Sequence, residues 1–300
     1  MALTHVARFT LIYKLSGKDY FHLRMGQETM PPILRNGLSQ NNAVIPDQLP
    51  LQKNFHQSIF WYHQAPKWKY RFSLYAFSLQ NASDWMRFYQ DEWRSFVALR
   101  LKDISWQHQG IEVAAEGQLA PGHWVQLAVQ WGRHRYAKNA AYQVFKDQAT
   151  QLLEQGEVMW QGLPLPSANA FSAMLGWKYQ SPARLSIGLT ASYLGKSALS
   201  YNPLRRSQTA FLLSPNADTW LALRAPSWVP AHLLLDAEAG FSFKSHSFFL
   251  SIQNALNADF ASGGYEQLRF LVSAPLSNLH PPKFYHVLGL QALLSWRFTL

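Results

Sequence analysis

The feature that most constrains this chain is a two-residue alternation of apolar with small or polar side chains, repeated in separate stretches. In residues 171–179, Phe171, Ala173, Leu175, Trp177 and Tyr179 alternate with Ser172, Met174, Gly176 and Lys178. After Ser181, Pro182, Ala183 and Arg184 the pattern resumes: Leu185, Ile187, Leu189, Ala191 and Tyr193 stand against Ser186, Gly188, Thr190 and Ser192. Residues 233–244 set Leu233, Leu235, Ala237, Ala239, Phe241 and Phe243 against Leu234, Asp236, Glu238, Gly240, Ser242 and Lys244. Residues 111–119 set Ile111, Val113, Ala115 and Leu119 against Glu112, Ala114, Glu116 and Gln118. Successive side chains of a strand point to opposite faces, so this period specifies strands with one apolar and one polar face. The result is antiparallel sheet. What covers the apolar face, a second protein layer or lipid, is a separate question.

Connection lengths bear on it. Tight turns are expected at 15–19, 64–67, 120–123, 180–184 and 244–247, and long polar connections at about 29–52, 82–96, 137–166, 197–229 and 257–282. Short turns on one rim and long loops on the other are the plan of an outer-membrane β-barrel. Five long structureless connections are foreign to a compact soluble domain. Five hairpins and a last strand make about eleven strands, half of the roughly 22 found in plugged outer-membrane transporters.

The aromatic residues then gather beside the tight turns. Tyr13 and Tyr20 flank the first; Trp61, Tyr62, Trp68 and Tyr70 the second; Trp124 follows the third. Trp177 and Tyr179 precede the fourth, Phe241, Phe243, Phe248 and Phe249 surround the fifth, and Trp296 and Phe298 stand near residue 300. One rim therefore carries an aromatic girdle, as at a membrane–water interface. Charged residues are 15% of the chain, against roughly 25% in soluble domains, which fits a surface that meets lipid. No stretch nears the ~20 apolar residues of a spanning helix, so a membrane crossing has to use a barrel.

The formal net charge of +10 attracts anions in general. The basic residues are scattered singly, densest at Arg133-His134-Arg135 and Arg205-Arg206, which argues against nucleic acid as a partner. The absence of cysteine excludes disulfides and thiolate metal sites. The 11 histidines lack metal-binding spacing, and His108 reads as turn or strand packing. Glu112, Glu116, Asp236 and Glu238 share the polar, lumen-facing set, where acids are expected in any water-filled barrel. No nucleophile elbow, phosphate loop or dinucleotide fingerprint is present, so the chain is read as a non-enzyme without cofactor or metal.

Two loop motifs are candidates for ligand contact. One is Gly263-Gly264-Tyr265-Glu266 followed by Arg269; the other runs through Tyr201, Asn202 and Pro203 to Arg205 and Arg206. Each reads first as a structural loop base, the first pinned by an ion pair, and only second as a ligand contact. Trp85, Phe88, Tyr89 and Trp93 offer rings for stacking on a ligand.

Six blocks in order resemble TonB-dependent outer-membrane receptors of the Bacteroidetes type, those with a carboxypeptidase-like N-terminal domain. They are Arg35-Asn36-Gly37 with Val44-Ile45-Pro46-Asp47, then residues 108–113, 179–182 and 201–206, then Asn254-Ala255-Leu256-Asn257 with residues 263–269, and the closing strand Phe284 to Phe298. The resemblance implies residues 1–300 as the C-terminal part of such a barrel, in the outer membrane, without plug or signal peptide. It implies uptake of a scarce nutrient, of siderophore, glycan or peptide class. The implied partners are the N-terminal plug and barrel half, outer-membrane lipid, TonB through the plug alone, and a surface lipoprotein. A small passive outer-membrane pore and a soluble carbohydrate-binding β-domain stand as alternatives.

Overall fold

A computed structural model describes residues 4–31, 50–146, 151–271 and 280–299. In chain order the strands are β1 (Val6–Lys14), β2 (Asp19–Met30), β3 (Gln52–Gln64), β4 (Trp68–Gln90), β5 (Ser95–Ala120) and β6 (His123–Tyr136). Next come β7 (Ala140–Lys146), β8 (Leu152–Val158), β9 (Phe171–Gln180), β10 (Leu185–Leu194) and β11 (Ser197–Ala198). Then follow β12 (Trp228–Val229), β13 (His232–Phe243), β14 (His246–Gln253), β15 (Ala261–Tyr265), β16 (Lys283–His286) and β17 (Gln291–Phe298). Short helices occupy Gln208–Leu212 and Ala217–Arg224. Among the described residues no helix is long and apolar enough to cross a membrane.

One antiparallel path runs β1-β2-β3-β4-β5-β6-β9-β10-β13-β14-β17, eleven strands, with β7 and β8 as a side hairpin. Among the described residues the path is open: β1 pairs only with β2, and β17 only with β14. Each link along it that carries a tight turn is closed by local chemistry. Ser16 Oγ accepts from Lys18 N and Asp19 N, at 3.1 and 3.0 Å. Pro121 presets one turn residue and Gly122 supplies the positive φ of +78° that follows it. Ser181 Oγ accepts from Ala183 N at 3.1 Å.

The alternation read from the sequence is the observed register. Leu127 lies opposite Leu175 and Val125 opposite Trp177, so the apolar row continues from strand to strand. No second layer covers that face among the described residues: Leu175 is 56% exposed, Trp131 64% and Leu294 70%. Transfer of such surface from lipid to water costs roughly 25 cal/mol per Å², so a face built this way is suited to lipid.

Several stretches differ from expectation, among them 197–229, which holds two short helices between β11 and β12, and 257–282, which holds β15. Residues 82–96 are not a loop. β4 and β5 run 23 and 26 residues and meet at a turn over 91–94. The pairing shifts register between Leu79 and Asp84, where Asn81 takes φ +59°. The polar run Gln80, Asn81, Ala82, Ser83, Asp84 lacks alternation because it holds this irregularity beyond the apolar band. The span 137–166 contains the β7–β8 hairpin, with β7 pairing the upper half of β5. The closing stretch 284–298 is two strands, β16 and β17, of which β16 pairs β15. Residues 32–49, with the block Arg35 to Asp47, lie outside the described residues.

The buried core lies at the long-loop rim rather than within the sheet. Val97, Leu99, Leu101 and Val144 from the upper strands pack with Trp160, Leu204, Leu223 and Phe270 from the connections. Phe88 belongs to this core, and Trp85 stacks on Phe145 with centroids 6.2 Å apart. Both rings are thereby engaged in packing.

Candidate functional site

The sheet's second face carries charge in matched pairs. Arg71 donates to Glu112 at 2.8 Å, and Ser73 Oγ donates to the same carboxylate oxygen at 3.1 Å. Lys69 stands 3.8 Å from Glu116, directly across the strand pair. Lys178 and Glu238 lie on β9 and β13, with β10 between them, yet approach to 3.9 Å. The register explains the reach: Gly188 is the cross-strand partner of both, and a Cβ there would press on Glu238. Asp236 accepts from Asn254 N at 2.9 Å. All four predicted acids therefore share one face, opposite the apolar rows. A depression of about 420 Å³ lies among Glu116, Trp124, Gln126, Lys178 and Glu238. The same face holds His108 and His134, cross-strand partners with their Nδ1 atoms 2.6 Å apart.

The two loop motifs form one cluster at the long-loop rim. Arg206 and Glu266, 60 residues apart, make a bidentate pair at 2.5 and 2.8 Å. Arg206 also donates to the carbonyls of Arg224 and Ala225, at 3.1 and 2.8 Å, and its guanidinium lies 4.4 Å from the Tyr201 ring centroid. Glu266 accepts further from Asn202 N at 3.0 Å and Ser227 Oγ at 3.3 Å, and Arg205 approaches it to 3.4 Å. Exposure is 0% for Arg206 and 1% for Glu266. Burial raises the Glu266 carboxyl, but the Arg206 hydrogen bonds and charge outweigh it and hold the group below its ordinary value. Arg206 and Glu266 thus satisfy each other and have no free surface for a ligand.

Arg269 does not join Glu266. It makes a bidentate pair with Asp91 in the β4–β5 turn, at 2.6 and 2.7 Å, and this hydrogen bonding lowers the Asp91 carboxyl below its ordinary value. Beside it Gln90 Nε2 donates to Phe270 O at 2.6 Å. Tyr265 is exposed, its ring 5.9 Å from Tyr285. The cluster ties the 197–229 and 254–271 connections to the β4–β5 tip. Of the residues singled out in the two loop motifs, it leaves Tyr265 and Arg269 with exposed groups.

Sequence reading did not pick out Lys69, Arg71, Lys178 or Asp91. The first three follow from the same period-two count that found the acids. Asp91 had no signal, because its partner lies 178 residues away.

No family model and no curated protein matches the chain. Solved structures do. The siderophore receptor PiuA from Acinetobacter baumannii superposes with TM-score 0.65 at 15% identity, covering 98% of this chain and 35% of that one. The ferric-catecholate import receptor Fiu from E. coli K12 gives 0.61 at 15%, covering 97% and 34%. The ferric yersiniabactin uptake receptor FyuA from Yersinia pestis gives 0.62 at 10%, covering 97% and 36%. These structural neighbours are TonB-dependent siderophore or metal receptors. At such identities the likeness is one of fold, and the chain spans about a third of the length of the structures it matches.

Proposed function

We propose that the chain forms part of the barrel wall of a TonB-dependent outer-membrane receptor that imports a scarce nutrient, working with a plug and further strands. One observation carries the reading. An unbroken eleven-strand antiparallel path has an exposed apolar face, a polar face of paired charges, and a tight turn at every link of one rim. Eleven strands are half of the ~22 of a plugged transporter, and β1 and β17 each leave one edge for the remaining strands. Open edges are not tolerated in lipid. The placement as the C-terminal part and the Bacteroidetes type rest on the order of the sequence blocks. Siderophore, glycan and peptide remain the nutrient classes. A plug would meet the polar face, TonB would act through the plug, and a surface lipoprotein would meet the loop cap.

Fractionation of native cells tests the reading. An antibody against residues 257–271 is expected to detect the chain in the outer membrane, resistant to carbonate extraction. A soluble band would contradict it.

A further inference from the structure

The basic run Arg133-His134-Arg135 is divided by the sheet. His134 lies on the polar face beside His108, whereas Arg133 and Arg135 continue the outward row Val125, Leu127, Val129, Trp131. On β4, β5, β6, β9 and β10 that outward face carries no Lys, Arg, Asp or Glu from the tight turns up to the level of Trp131. Arg133 is the first charge beyond the apolar band. It is exposed and has no ion-pair or hydrogen-bond partner among the described residues. The Nε of Arg135 is buried, likewise without a hydrogen-bond partner among them. Beneath Arg133 opens a groove of about 590 Å³ walled by Leu74, Ile111 and Trp131, with Gln109 and Arg133 at its polar end.

We propose that this groove binds a phosphorylated lipid of the surrounding leaflet, an acyl chain against Trp131, Leu74 and Ile111 and the phosphate at Arg133. The inference rests on the membrane reading above. Charge complementarity selects the occupant. An apolar slot continuous with the lipid-facing surface ends in Arg133, which no carboxylate pairs among the described residues, at the height where headgroups lie. Guanidinium forks also match phosphate oxygens by shape.

The receptor is purified from its own membrane in dodecylmaltoside, stripped of lipid, and titrated with phosphatidylglycerol, phosphatidylcholine or inorganic phosphate. Retained lipid is counted by native mass spectrometry. Phosphatidylglycerol is expected to be held preferentially, with Arg133→Gln weakening it about fivefold. Arg133→Lys is expected to recover part of the loss, while circular dichroism stays that of the parent. Equal retention by parent and the Arg133→Gln variant would overturn the site. Displacement by inorganic phosphate at the same concentration would overturn the lipid as occupant. A chain found only in the soluble fraction would overturn the membrane reading and the site together, an outcome distinguishable from the first two.

Discussion

Replacing Glu266 with alanine is expected to destabilise the loop cap by about 3–5 kcal/mol, the cost of leaving a buried charge without its partner. Arg206 would keep the carbonyls of Arg224 and Ala225 but lose both carboxylate oxygens in a site with no solvent. Residues 197–229 and 261–271 depend on that carboxylate, so the damage should be local. Hydrogen exchange is the measurement: amides of 197–229 should lose protection by more than a hundredfold, while β9, β10 and β13 keep theirs. Unchanged protection of 197–229 would contradict the role assigned to the pair. The same group sets a pH dependence. Its folded carboxyl is held below the unfolded value. Its contribution is therefore fully present above about pH 4.3 and is lost as pH falls through the folded value. The cap should loosen in acid, and Glu266→Ala should reduce that response to the part set by the Asp91–Arg269 pair.

Leu175→Arg is expected to lower the amount of chain in the outer membrane more than tenfold, whereas Thr190→Arg leaves it near the parent level. Leu175 lies midway along the outward row of β9, and a cation at mid-bilayer on a barrel costs about 2–4 kcal/mol. Thr190 lies on β10 among the paired charges of the polar face. The contrast separates lipid from water as the medium. Leu175 is already 56% exposed, so in a water-soluble sheet an arginine there would be nearly neutral. Equal levels for the two variants, measured by immunoblot of the membrane fraction at matched expression, would contradict a lipid-facing row.

The sheet was legible because one short-range rule governs it. Alternation in 171–179, 185–193 and 233–243 gave the strands, their faces and the shared face of Glu112, Glu116, Asp236 and Glu238. Turn residues such as Gly122 gave the rim. The rule fails where strands leave the apolar band. In 82–96 both faces meet protein or water, period two disappears, and the tip of a continuous strand pair reads as a loop. The loop cluster was half legible. The Gly263–Arg269 stretch was expected to be pinned by an ion pair, but the pairing is between loops: Glu266 with Arg206, Arg269 with Asp91. Nothing local in a sequence encodes a contact across 60 or 178 positions. The nutrient stays unread for the same reason, since fold does not fix the ligand.

On the proposed reading, one face of this sheet meets lipid and the other water. The chain contains no cysteine, so single cysteines can be placed at each position from 185 to 193 in cells and probed with a membrane-impermeant maleimide after outer-membrane isolation. Positions 186, 188, 190 and 192 are expected to label, and positions 185, 187, 189, 191 and 193 to stay protected until detergent is added. Labelling of both sets alike, or protection of the even set with labelling of the odd, would contradict the account.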